Sequence, residues 1–145
     1  EVGERMGADG FPVVDLPEDE VLSAARRLVD EGIESVAVCY INSCINPLHE
    51  RRSVEILEKN FPDLLITASC DVLPEMKEYE RTSTTVVNAY LLSAMRRYLA
   101  NLTQKLAEVG MTAPLLVVAS SGGMMRVKTA SDIPVFAVGS GPAGG

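Results

Sequence analysis

Two kinds of apolar pattern alternate along the chain. One recurs every three to four residues, as on the buried face of a helix, and the other is a short unbroken run, as in a strand covered on both sides. Val21, Leu22, Ala25, Leu28 and Val29 form a first helical stripe. Glu18, Asp19 and Glu20 precede it, where the helix dipole favours acids, and Gly32 supplies a stop. A second helix is predicted over residues 47–60, with Asn46 as its cap and Pro47 in its first position. Val54, Leu57 and Phe61 should face inward there, and Pro62 ends the pattern. A third, long helix is predicted over residues 83–109, with Val87, Tyr90, Leu91, Ala94, Tyr98, Leu102, Leu106 and Val109 on one face and Gly110 closing it.

The unbroken runs are SVAVCYI at 35–41, LLITAS at 64–69, LLVVAS at 115–120 and VFAV at 135–138. Each is too short for an independent helix and reads as a buried strand. The opening segment, rich in Gly and Pro up to Pro17, should be turns with one short extended stretch at 11–14. Strand and helix in alternation predict an α/β class, with a mostly parallel sheet and flanking helices. The acidic stretch CDVLPEMKEYE suggests a division into residues 1–75 and 76–145, which could still pack as one compact unit.

Composition narrows the function classes. The chain has 145 residues, 47% of them hydrophobic, with no apolar run long enough to span a membrane. Twenty acidic against thirteen basic residues give a net charge of -7, and no Lys/Arg block offsets it, so neither nucleic acid nor a membrane is expected as a partner. Cys39, Cys44 and Cys70 lack metal-site spacing and read as reduced, partly buried thiols of a cytoplasmic protein. A start at Glu1 and a stop within glycines at Gly145 suggest a piece of a longer chain.

Four stretches could carry chemistry. The terminal GSGPAG, residues 139–144, matches the G-x-G-x-x-G spacing of a dinucleotide loop, but no helix and ribose-binding acid follow it. Ser120, Ser121, Gly122 and Gly123 follow a predicted strand, where backbone N–H groups can gather around an anion, although a plain turn explains them too. His49, the only histidine, and Glu50 fall in a first helical turn and fit local structural roles. Arg81, followed by Thr82, Ser83, Thr84 and Thr85, offers more hydroxyls than one helix cap requires. Its guanidinium would suit a carboxylate or phosphate, or pairing with Glu78 or Glu80.

In order and spacing, NPLHERR (46–52), VLPEMKEYERTSTTVVNAYL (72–91), SSGG (120–123) and SGPAGG (140–145) resemble the hydantoinase A/oxoprolinase family. The resemblance covers essentially the whole chain. It departs at Ser121, where the family usually has Asn, and at Cys70, where it often has His. It implies part of an actin/sugar-kinase-like ATPase fold and, for the intact protein, ATP-driven opening of a cyclic amide such as a hydantoin or 5-oxoproline. The related ketone carboxylase subunits imply activation of acetone or acetophenone instead. A dinucleotide-binding oxidoreductase and a non-catalytic binding module remain as other readings.

The resemblance further implies ATP with a divalent cation, Mg, in the intact protein, a small-molecule substrate and a hydantoinase B-type partner subunit or region. The family's phosphate loops are absent from this sequence, so these 145 residues are expected to be inactive and to bind no cofactor by themselves. Walls of a substrate or nucleotide cleft are then expected at Arg81, Ser83, Thr84, Thr85, Asn88, Ser120, Ser121, Gly122, Gly123, Ser140, Gly141 and Gly144.

Overall fold

The computed structural model describes residues 1–143. It falls into two compact units, Glu1–Ala89 and Tyr90–Gly145, and one long helix runs through both. The first unit opens with an antiparallel pair, β1 (Arg5–Met6) and β2 (Pro12–Val14), turned at Gly10 with φ +83°. Helix α1 (Glu18–Asp30) ends as the sequence suggests. Gly32, at φ +80°, donates to Val29 O and Ile33 donates to Leu28 O, the paired bonds that close a helix through a left-handed residue. Asn46 caps α2 (Leu48–Asn60) from just outside, its Oδ1 accepting the Leu48 N–H at 3.0 Å.

Strands β3 (Ser35–Val38) and β4 (Leu65–Ala68) pair in parallel, and α2 is the crossover between them. One face of the pair is apolar. Val38 packs there with Val21 and Ala25 of α1 and Ile56 and Leu57 of α2, with Val36, Tyr40 and Ile66 around them. The other face is polar and meets the first turns of α4 (Glu78–Glu108). Ser35 Oγ donates to Ala89 O at 2.8 Å, and Asn88 Nδ2 donates to Thr67 Oγ1 at 3.1 Å. A one-turn helix, α3 (Ser69–Val72), follows β4.

This polar sheet face corrects the predicted orientation of α4. The buried positions are Arg81, Thr85, Asn88, Ala89, Leu92 and Leu99, one face at helical spacing. Val87, Tyr90 and Tyr98, assigned inward from their apolar character, are 44%, 82% and 61% exposed. The Ser35 and Thr67 hydroxyls on the sheet select the helix side that can hydrogen-bond to them.

In the second unit, β5 (Leu116–Val118) and β6 (Met124–Arg126) form an antiparallel hairpin. Ser121, Gly122 and Gly123 make its turn. Gly122 takes φ +85°, its N–H donates to Ala119 O at 2.9 Å, and the Ala119 N–H donates to Gly123 O at 2.7 Å. Such a short glycine turn returns the chain beside itself, so β5 does not lead into a crossover. Helix α5 (Val127–Asp132) follows, with Ala130 fully buried.

Residues 135–138 do not form the expected last strand. Pro134 opens a 3-10 turn, Pro134–Ala137, and fixes a helical φ while removing a donor that a strand ladder would use. A short turn of helix, α6 (Ser140–Ala143), comes last. The α/β class holds, but among the described residues three two-stranded sheets, of which only β3–β4 is parallel, replace the expected mostly parallel sheet. No helix among these residues is long and apolar enough to cross a membrane.

Candidate functional site

The carboxyl ends of β3 and β4 open onto a cluster of buried polar groups. Parallel strands release their chains at the same end, so residues far apart in sequence meet there. Beyond β3 come Cys39, Tyr40 and, after Asn42 at φ +59°, Ser43. Ser69 and Cys70 follow β4, Glu50 comes from the first turn of α2, and Arg81 comes from the first turns of α4.

Glu50 is fully buried and its carboxylate accepts three hydrogen bonds. Oε1 takes the Tyr40 N–H at 2.8 Å and the Ser69 hydroxyl at 2.6 Å, while Oε2 takes the Cys70 N–H at 2.8 Å. One side chain thus ties the ends of both strands to the crossover helix. Ser69 Oγ also lies 3.3 Å from Ser43 Oγ, and Ser43 Oγ accepts from Arg81 Nη1 at 2.5 Å. Arg81 Nη2 donates to Tyr40 O at 2.8 Å. A buried anion and a buried cation are therefore joined through two serine hydroxyls, which lessens the penalty each would carry alone. Arg81 Nε, also buried, has no protein partner.

His49 lies outside this chain of contacts. Its Nδ1 sits 2.7 Å from Glu4 Oε2, both side chains are buried, and the pair fastens the opening segment to α2. Tyr40 reaches the same region, its hydroxyl 3.0 Å from Ser53 Oγ.

The cysteines beside the network are poor nucleophiles. Burial foremost, then the Glu50 charge, raises the Cys39 thiol, although hydrogen bonds from Thr85 and Thr82 oppose this. Burial, followed by the Glu50 and Asp71 charges, pushes Cys70 from 9.0 up to about 12. Burial also raises the Tyr40 phenol. A thiol kept protonated in the folded state but ionising near 9.0 in the unfolded chain makes the folded state the better proton binder between those values, so stability must fall as pH rises through that window. Replacing Cys70 by Ala is expected to flatten the decline in urea midpoint above pH 9. An unchanged slope would remove Cys70 as its source.

The structure sorts the expected cleft residues by accessibility. Arg81, Thr85 and Asn88 are buried and engaged, Thr85 Oγ1 donating to Arg81 O at 2.7 Å. Ser83 on the same helix is exposed and Thr84 half-buried. In the second unit, Ser120, Ser121, Gly122, Gly123 and Gly141 are exposed and Ser140 is half-buried, while Gly144 lies outside the described residues. The Ser120 hydroxyl donates to Phe136 O at 3.0 Å and to Val138 O, and its N–H donates to Phe136 O at 2.7 Å. It fastens the 3-10 segment to the hairpin.

Sequence reasoning missed the bridging roles of Glu50, Ser43 and Ser69. An acid at a helix start reads as dipole compensation, and isolated serines carry no periodic signal. These residues do not fit a nucleotide with its cation. Among the described residues no three His, Cys, Asp or Glu side chains converge where a cation could sit, and in the SSGG turn the Gly122 and Ala119 N–H groups already donate to carbonyls.

Known proteins match this arrangement along its whole length. A hydantoinase/oxoprolinase family model matches residues 81–145, and the model of that family's N-terminal region matches residues 1–61. Caprolactamase subunit alpha of Pseudomonas jessenii is 33% identical over 98% of this chain, which spans 20% of that relative. Acetone carboxylase beta subunit of Xanthobacter autotrophicus is 33% identical over 99% of the chain, again 20% of the relative. In three dimensions, the crystal structure of ATP-dependent caprolactamase from Pseudomonas jessenii superposes with a TM-score of 0.92 at 33% identity, over 98% of this chain and 20% of that one. With matches to both regions in their order, the chain belongs to the hydantoinase/oxoprolinase family.

Proposed function

We propose that this chain is part of an ATP-dependent enzyme that opens a cyclic amide. The observation that carries the reading is the fit of nearly all of it to an ATP-dependent caprolactamase, at a TM-score of 0.92. A lactam carbonyl is a weak electrophile. Transfer of the γ-phosphoryl group of ATP onto its oxygen, with release of ADP, would make the carbon electrophilic enough for water to add, the C–N bond would then break as the nitrogen takes a proton, and a second water would hydrolyse the resulting acyl phosphate to carboxylate and phosphate. The intact protein would bind ATP with Mg through segments outside these residues, in an actin/sugar-kinase-like fold, and work with a B-type partner subunit. A division of the chain near residue 75 belongs to the same reading.

The accessible candidates, Ser83, Ser120, Ser121, Gly122, Gly123 and Gly141, are then the groups able to touch a ligand. Arg81, Thr85 and Asn88 would act through the packing of α4 on the sheet. A second reading, activation of a small ketone, has its own support in the likeness to acetone carboxylase. ADP release by the intact protein, with its partner subunit, separates the two. Stimulation by caprolactam, hydantoin or 5-oxoproline supports the first, and stimulation by acetone with bicarbonate supports the second. ATP turnover indifferent to all of them would overturn both.

A further inference from the structure

The tip of the β5–β6 hairpin keeps two backbone donors free. The Gly122 N–H is used within the turn, on Ala119 O, and the Ser120 N–H goes to Phe136 O at 2.7 Å. The N–H groups of Ser121 and Gly123, on either side of Gly122, meet no acceptor among the described residues.

A cavity of about 550 Å³, a size typical of small-molecule pockets, opens beside this tip. Ser121 and Gly123 line it, and Gly122 does not. Gly123 has no side chain, and its carbonyl already accepts the Ala119 N–H at 2.7 Å, so the polar group it can offer a ligand is its own N–H. The Ser121 hydroxyl stands next to it, 3.9 Å from where a Cβ on Gly123 would sit. The opposite part of the lining is apolar, with Met124, Met125 and Phe136. Met124 is 73% and Phe136 39% exposed, large apolar surface left in the open beside a polar tip. Ser120 holds this wall in place, since its N–H and its hydroxyl both donate to Phe136 O. Among the described residues, none that lines the cavity carries a charge.

We infer that this cavity binds an uncharged cyclic amide with a largely hydrocarbon ring, its amide at Ser121 and Gly123 and its methylenes against Met124 and Phe136. This rests on the ring-opening reading and narrows its substrate. A small ring holds its amide cis, so the ligand C=O and N–H point to the same side and need a donor and an acceptor next to each other. The Gly123 N–H donates to the carbonyl oxygen, which keeps a second lone pair for the phosphoryl group, and Ser121 Oγ accepts from the ring N–H. A carboxylate on the ring, as in 5-oxoproline, would give up water and find no cation in the lining. Hydantoin would bring a second carbonyl and a second N–H to the apolar side, where neither has a partner.

ADP release by the intact protein, with its partner subunit, tests this when ε-caprolactam, hydantoin and 5-oxoproline are compared. The kcat/KM for ε-caprolactam is expected to exceed that for 5-oxoproline by on the order of 100-fold. Equal or greater efficiency with 5-oxoproline or hydantoin overturns the inference while the ring-opening reading stands. Stimulation by acetone alone, or by none of these compounds, removes that reading and the inference with it. Two variants locate the pocket. Met124→Lys changes an exposed side chain, so the unfolding midpoint should hold, and its ammonium should move the substrate ratio about fivefold towards 5-oxoproline, as one partly exposed ion pair allows. Gly123→Ala adds a Cβ that meets only the Ser121 hydroxyl within 4 Å, so it should fold normally yet crowd the amide and raise the KM for ε-caprolactam about 10-fold. An unmoved ratio in the first, or an unmoved KM in the second, overturns the inference.

Discussion

Glu50→Ala is expected to lower the free energy of unfolding by about 3–5 kcal/mol, the range for removing one member of a buried charge pair. Three donors, the Tyr40 and Cys70 N–H groups and the Ser69 hydroxyl, lose their acceptor at once, around a carboxylate and a serine that are both fully buried. A buried donor left unpaired carries a desolvation penalty of about 1–3 kcal/mol, so the three together reach this range even after local relaxation. Glu50→Gln keeps the volume but turns one end of the side chain into a donor facing donors. It should fall between Ala and wild type. Urea unfolding followed by circular dichroism measures both, and a loss below about 1 kcal/mol for Glu50→Ala would sink the view that this carboxylate ties the strand ends together.

The same network explains what the sequence could and could not show. Helix α1, the cap of α2 and the β3–β4 crossover follow from apolar spacing, first-turn acids, Asn46-Pro47 and the stop at Gly32, all local rules that tertiary structure here reinforces. The face of α4 was not legible in this way. Its apolar stripe through Tyr90 and Tyr98 is as regular as the buried one, and only the hydroxyls of Ser35 and Thr67 across the sheet decide for Thr85 and Asn88. The hairpin at Gly122 and the turn opened by Pro134 were hidden for a related reason. Short apolar runs do not reveal their pairing partner, and glycines that suit a phosphate loop suit a tight turn equally. Of the candidate site, Arg81 was visible as chemistry. Its engagement was not, because Tyr40 and Ser43 stand about forty residues away.

Arg81 supplies the second large effect. Arg81→Ala should cost about 3–5 kcal/mol, since it removes the cation facing the Glu50 network, empties a side chain that is 1% exposed and frees Tyr40 O and Ser43 Oγ. Arg81→Met should cost less. It keeps the stem and volume and also removes Nε, which is buried without a partner in the wild type. A double-mutant cycle of Glu50→Ala with Arg81→Met is expected to show coupling of about 0.5–3 kcal/mol, because both charges act on the same Ser69–Ser43 pair. Strict additivity would mean that the two charges stabilise separate parts of the fold. The cycle also bears on function when ATP turnover of the intact protein is measured beside it. A strut loses stability while each folded molecule keeps its kcat/KM, whereas a fall in kcat/KM with the unfolding midpoint unmoved would place the Arg81 guanidinium at the ligand after all.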